Sequence, residues 1–423
     1  MIFDVKIIIL LFMLGSILFF SNYLFKSIIN PASILSSVFI ISIISSSIIT
    51  ENLNLSVQLI FIYELGIISF AFFSYIPVLI FNKKNYYYES TLDLKKVKKC
   101  LIIIVYINIL FMMYKIYILY IITDGSLLQI FLDGANVRDN IANEDFEGLN
   151  NSFFKLILYI LNIGQLAVPL ASVFLFFTKK KSFLIISLLV DLMISLSTLE
   201  RSYFFQSVIW FIMVYLFLYT MHYKKIKLQF ILKFTIITST LFFLLFIPYT
   251  LRNPENNFYE FSSQAFEYLG CSNLSFNESL INSKDINSQE QGMNTFYGFY
   301  KWFYKFKLIN SEPQYHLQYI EVKLNGNREY YNTYTYLYYF YKDFGLIGVF
   351  IINSVLGFLF SYFYLLVMKL HNIQFLFFQS KISVFTFWFF YSYNIKDIVA
   401  YLILFYSIVI GKHIFIIKRI NKD

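Results

Sequence analysis

Five arginines stand apart in this chain. Its Lys and Arg residues total 34, and apart from Arg138, Arg201, Arg252, Arg328 and Arg419 they are all lysine. An arginine is always charged, and its planar fork grips two oxygens of a phosphate or carboxylate at once. Arg138 lies in GANVRDN, Arg201 in TLERSYF, Arg252 in PYTLRNP and Arg328 in NGNREYYN. The last three sit at or beside the ends of long apolar segments, the depth at which the diphosphate of a membrane lipid would lie. Taken together the four read as a clamp for one anionic ligand. The competing reading is that each anchors to lipid headgroups or pairs with a near neighbour such as Glu200 or Glu329. A transfer reaction on such a ligand also needs a proton acceptor. His316, in EPQYHLQY, has the chemistry of a general base near neutral pH, although a surface histidine without a role fits it as well. Glu200, Glu329 and Asp343 are the carboxylate candidates for the same task.

The elements that must position these residues are apolar. Of the 423 residues, 58% are hydrophobic, 22% aromatic and 14% charged, a balance that excludes an ordinary soluble domain. Apolar runs of about 18 residues or more predict membrane-spanning helices. They fall at 5–22, 33–50, 56–81, 100–123, 153–178, 182–199, 203–221, 228–249, 346–368, 373–391 and 397–417. The expected fold is therefore an all-α polytopic membrane protein of about 11 spans (range about 10–13), one transmembrane domain over 1–423. The net charge of +9 comes from lysines flanking spans, the usual orientation signal, and not from a nucleic-acid surface. Lys83, Lys84, Lys95, Lys96, Lys98 and Lys99, then Lys179–Lys181, then Lys224, Lys225 and Lys227, then Lys412, Lys418, Arg419 and Lys422 mark one face as cytoplasmic. That puts the C-terminus inside and the four arginines outside.

Two outer connections are long. Residues 124–152 are acidic, and 250–332 run from a polar first half to the aromatic, lysine-studded TFYGFYKWFYKFK. The latter predicts a helix lying in the membrane interface, with Lys301, Lys305 and Lys307 at the headgroups. The aromatic run Tyr334–Tyr341 is expected at the same interface, ending at Asp343 and Gly345 before a span begins. The first apolar segment lacks a basic start and a cleavage site, and is expected to be a retained span. Cys100 and Cys271 are expected on opposite faces and unpaired. Glu64 and Lys115 have similar depths in spans three and four, compatible with a structural ion pair. Asp191 and Lys381, near mid-membrane, leave a transporter reading open. No nucleotide loop, dinucleotide fingerprint, HExxH or Cys/His metal cluster appears, so neither cofactor nor metal is expected.

The stretch YFYKDFGLIGVFIINSVLGFLF, with Asp343, Gly345, Gly348 and Gly357, resembles the late segment of the Wzy-type oligosaccharide repeat-unit (O-antigen) polymerases. TLERSYF, the isolated Arg138 and the plan of many spans with two large outer loops are compatible with that family. The resemblance implies a glycosyltransferase of the bacterial inner membrane, active on its periplasmic face. It would use undecaprenyl-diphosphate-linked glycans and work beside a chain-length regulator, without nucleic acid. An O-antigen ligase is the near alternative, and a polysaccharide flippase or secondary transporter the distant one.

Overall fold

The computed structural model describes residues 4–50, 53–82, 86–122, 162–198, 201–223, 258–282, 292–305, 307–310, 319–324, 327–390, 392 and 398–421. Helices α1 (Val5–Phe25), α2 (Pro31–Ile49) and α3 (Val57–Asn82) come first, then strand β1 (Tyr86–Leu92) and helix α4 (Leu94–Ile122). A 3-10 turn, Asn162–Leu166, leads into α5 (Ala167–Thr178), followed by α6 (Ser182–Thr198) and α7 (Arg201–Tyr223). Next are α8 (Phe258–Asn282), α9 (Tyr297–Lys305) and the hairpin β2 (Ile320–Leu324)–β3 (Asn327–Tyr331). The chain ends with α10 (Tyr336–Met368), a 3-10 turn at Ile373–Phe375, α11 (Leu376–Trp388), α12 (Ile398–Ile414) and β4 (Phe415–Asn421). Among the described residues, six helices are long and apolar enough to cross a membrane and three more are apolar but shorter. This is a predominantly helical membrane protein.

The helices form where the sequence supplies length without breakers, and caps where a turn is needed. Asn30 accepts the Ser33 backbone N–H at 2.9 Å, and Pro31 occupies the first helical position, where its missing N–H costs nothing. The polarity of the bundle is inverted relative to a soluble one. Phe12, Phe19, Ile102, Tyr106, Ile347 and Phe350 are exposed on its flanks, while Ser33, Ser36, Ser42, Ser45 and Ser46 of α2 are buried. With no water in the hydrocarbon, polar groups turn inward to find partners. The most extensive helix contact is α3 against α10, followed by α2 against α8, and α4 packs chiefly on α6.

Two ends can be told apart. At one, β1 pairs antiparallel with β4, Tyr86 opposite Asn421 and Leu92 opposite Phe415. The Tyr88 N–H also donates to the Leu370 carbonyl at 2.8 Å. The connection after α3, the turn after α10 and the C-terminal tail therefore meet, which agrees with the shared face inferred from their lysines. At the other end the Tyr336 N–H donates to the Phe389 carbonyl at 2.9 Å, and the Ser56 N–H to Asn277 Oδ1 at 2.7 Å.

Several expectations change here. The last span ends at Ile414, and a strand follows it. The segment from 153 to 178 is helical only from Ala167 in its described part, after the 3-10 turn. The expected span 228–249 and the loop 124–152 lie outside the described residues. Residues 258–282, read as polar loop, form a 25-residue helix. The aromatic run before Asp343 is not spread at an interface: Tyr334, Tyr336, Tyr338, Tyr339 and Phe340 are buried in the protein, with Tyr334 stacked on Tyr338 at 4.0 Å and Tyr336 on Phe389 at 4.3 Å. No ion pair joins Glu64 to Lys115, because α3 and α4 pack on different partners. Lys115 instead stands 5.8 Å from the Phe111 ring.

Candidate functional site

Of the expected site residues, Arg138, Arg252, Glu200 and His316 lie outside the described residues. Arg201 opens helix α7. Arg328 sits on β3, exposed, and pairs with Glu321 across the hairpin at 3.0 Å, not with its sequence neighbour Glu329. Asp343 and Arg328 both belong to the end of the bundle away from β1 and β4, and so does the start of α7, whose last turn reaches His222 beside the β1–β4 sheet.

Asp343 is an anchor. It is only 1% exposed. Its Oδ1 accepts the Asn294 side-chain amide at 2.7 Å and the Asn294 backbone N–H at 3.2 Å, and Oδ2 accepts the Thr295 N–H at 2.6 Å. Those N–H groups belong to the turn that enters α9, so the carboxylate fastens to α10 the start of a folded cap over this end of the bundle. Gly345 makes the arrangement possible. Its φ of 63° and ψ of −154° break α10 just beyond Asp343, a conformation that a residue with a Cβ adopts only under strain. With both oxygens occupied by donors, Asp343 positions the loop and has little left for abstracting a proton.

Helix α8 forms the second part of this cap. Asn273 donates to Ser42 and Ser46 Oγ, each at 2.9 Å, and accepts from the Tyr63 hydroxyl at 2.8 Å. Ser42 and Ser46 in turn donate to the Leu269 and Gly270 carbonyls at 2.6 and 2.8 Å. A Cβ at Gly270 would stand 2.6 Å from the Ser46 backbone nitrogen, so only glycine permits this approach. The hairpin docks on the same helix, with the Tyr331 hydroxyl donating to Glu267 at 3.1 Å. Burial foremost, with the Glu267 and Glu329 carboxylates adding to it, pushes the nearby Cys271 thiol up and leaves it an inert packing group. Cys271 and Cys100 are both unpaired, as expected. The sequence signal for this seam was the serine stripe on α2, with Asn273 opposite it and Asn277, one turn on, bonded to Asn54 and Ser56.

A second polar constellation lies inside the bundle. Asp191 on α6 and Lys381 on α11 are 0% and 1% exposed and interact electrostatically without a contact ion pair. Asn108 of α4 donates to Asp191 Oδ1 at 2.7 Å. Lys381 donates to Gln165 Oε1 at 3.4 Å and lies 4.5 Å from the Trp210 ring, whose N–H donates to Ser380 at 2.8 Å. The Ser207 hydroxyl lies beside Asp191, whose Oδ2 has no hydrogen bond of ordinary length, and Asn108 Oδ1 and the Tyr203 hydroxyl are buried without a partner. The Tyr203 hydroxyl feels the Asp191 charge, and Arg201 is two residues before it on the same helix. Asp191 and Lys381 were visible in the sequence as intramembrane charges; Asn108, Gln165 and Tyr203 carried no signal, being ordinary residues of apolar segments.

Among the described residues no group of three or more His, Cys, Asp or Glu side chains could hold a metal ion. No protein-family model, no curated protein and no solved structure matches the chain.

Proposed function

We propose that this chain is a polymerase of undecaprenyl-diphosphate-linked oligosaccharide repeat units, with eleven spans, in the inner membrane of a bacterium, its C-terminus cytoplasmic and its working face periplasmic. The observation that carries the reading is the folded cap. Residues 258–282, the turn at Asn294 and Thr295, the hairpin and Asp343 are knitted to one end of the bundle, and α7 begins at Arg201 at that end. A rigid cap beside arginines at span ends suits a reaction in which a large glycan must be oriented while a lipid diphosphate departs. An acceptor hydroxyl oxygen attacks the donor's anomeric carbon, the bond from that carbon to the diphosphate oxygen breaks, and the hydroxyl proton passes to a base. Arg201, Arg252, Arg138 and Arg328 are the groups we assign to the developing charge on the leaving diphosphate. With Asp343 committed to Asn294 and Thr295, His316, Glu200 and Glu329 remain as the candidate bases. A chain-length regulator is the expected partner.

The same donor and an acceptor on a lipid A core would make the chain a ligase. A second class, a flippase or transporter, is favoured by one observation, the buried Asp191–Lys381 constellation. Deletion in a host that makes the polysaccharide separates the polymerase from the other two. A polymerase leaves core carrying a single repeat unit, whereas loss of every repeat points to the ligase or flippase. In the complemented strain, Arg201→Ala and Arg252→Ala should shorten or abolish the ladder, and full ladders from both would remove the clamp.

A further inference from the structure

The end of the bundle away from the cap holds a cavity of about 460 Å³. It is lined by Lys369, His371 and His222, by the polar Tyr87, Tyr88 and Ser90 of β1, and by an apolar floor that includes Phe177 and Phe415. Five separate pieces of chain build it: β1, the ends of α5 and α7, the turn after α10 and the first residue of β4. Nothing in the polymerase reading uses it.

Its composition is specific in kind. The His222 Nδ1 lies 2.9 Å from the Leu218 carbonyl, a contact that fixes the orientation of the ring. Phe176 and Phe177 pack on the same imidazole at ring distances of 5.0 and 5.6 Å, fixing its plane. His371 adopts a left-handed backbone with φ of 56° in the turn that ends α10, a conformation that histidine accepts more readily than most residues with a Cβ. The Lys369 side chain reaches Asn82 on α3, tying the turn to the neighbouring helix end. Lys179, Lys412, Lys418 and Arg419 belong to the same end, against the acids Glu89 and Asp93. Basic side chains therefore outnumber acidic ones around the cavity, whose lining combines N–H- and O–H-bearing residues with apolar ones.

We propose that this cavity binds a phosphate or diphosphate group, either the headgroup of an anionic lipid or a free phosphate compound. Lysine supplies the charge, while tyrosine and serine hydroxyls supply neutral donors. The volume lies in the range of ordinary small-ligand sites. The apolar floor accommodates the glycerol or prenyl portion if the phosphate belongs to a lipid. Such a site lets the membrane or the phosphate supply on one face set the stability of a protein whose proposed chemistry is on the other.

The test uses the full chain in nanodiscs, with the thermal unfolding midpoint as the readout. In one arm pyrophosphate is titrated onto protein in phosphatidylcholine discs. In the other, part of the phosphatidylcholine is replaced by phosphatidylglycerol and no phosphate is added. A rise in the first arm identifies a free phosphate ligand, and a rise confined to the second identifies a lipid headgroup. In whichever arm responds, Lys369→Gln with His371→Asn should weaken the effect at least about tenfold, as expected for losing a charge-assisted contact. Asparagine tolerates the left-handed backbone at 371, and Lys369→Arg, which keeps the charge, should restore most of the response. If the double variant fails to fold, His222→Gln alone must weaken the response. No rise in either arm, or an equal rise in the wild type and the charge-removing variants, would overturn the proposal.

Discussion

Two buried aspartates in this chain have opposite situations. Asp343, in the cap, has three N–H donors on its two carboxylate oxygens. Asp191, inside the bundle, accepts from Asn108, has the Ser207 hydroxyl beside it, no hydrogen bond of ordinary length at Oδ2, and a lysine within electrostatic reach. The first is satisfied and serves as a fastener. The second is partly satisfied, in surroundings where a polar group without a partner is costly. That excess capacity is what a ligand, an ordered water or a conformational change would use. Burial alone does not mark an acid as catalytic; the number of donors it already holds is the better guide.

The contrast can be broken by substitution. Asp343→Ala removes the acceptor of three N–H groups and leaves buried donors stranded, which should cost about 4 kcal/mol. Hydrogen exchange should accelerate across 292–305 first, and Asp343→Asn should recover about half of the loss. An unchanged exchange pattern would mean that Asp343 does not hold the loop. Next in size, Lys381→Ala should destabilise by about 3 kcal/mol, because it leaves a buried carboxylate without its counter-charge. Combining Asp191→Asn with Lys381→Met should return most of that stability, as measured by a double-mutant cycle in detergent unfolding. Simple additivity would show that the two charges are not coupled. A smaller effect, about 1–2 kcal/mol, is expected for Gly345→Ala, which forces a side chain into the left-handed break that presents Asp343 to Asn294. It should loosen the cap and leave the Asp191 neighbourhood as protected as before. Smallest of all, Arg328→Ala should cost less than about 0.5 kcal/mol, because its ion pair with Glu321 is exposed. A marked fall in chain length from that variant, against so small a change in stability, would assign Arg328 to substrate and not to the hairpin.

Local reading of the sequence went far in some places and failed in others for identifiable reasons. The spans over α1 to α4 and the break at Gly345 were legible because hydrophobic length and glycine act within a few residues. The grouping of the turns by lysine agreed with the β1–β4 pairing. The helix over Tyr297–Lys305 was legible from its amphipathic pattern. Helix α8 was not, because Ser and Asn are poor helix formers that read as loop until a partner accepts their hydrogen bonds. Ser42, Ser46 and Tyr63 are that partner, and they lie more than 200 positions away in the chain. The burial of Tyr334–Phe340 was missed for the same kind of reason, since a tyrosine run suits a membrane interface equally well until neighbouring helices cover it.

The sequence by itself determined that this is a polytopic membrane protein, which segments are apolar enough to cross, and that arginine and lysine are distributed differently along it. Those properties depend on transfer free energy, which is additive along a segment. Only the tertiary structure decided that Asp343 is a fastener, that Glu64 and Lys115 do not meet, that Asp191 and Lys381 do share one interior, and that His222, His371 and Lys369 line one cavity. Each of those depends on which helices are neighbours, and neighbour choice follows from packing and from hydrogen bonds between residues remote in the chain.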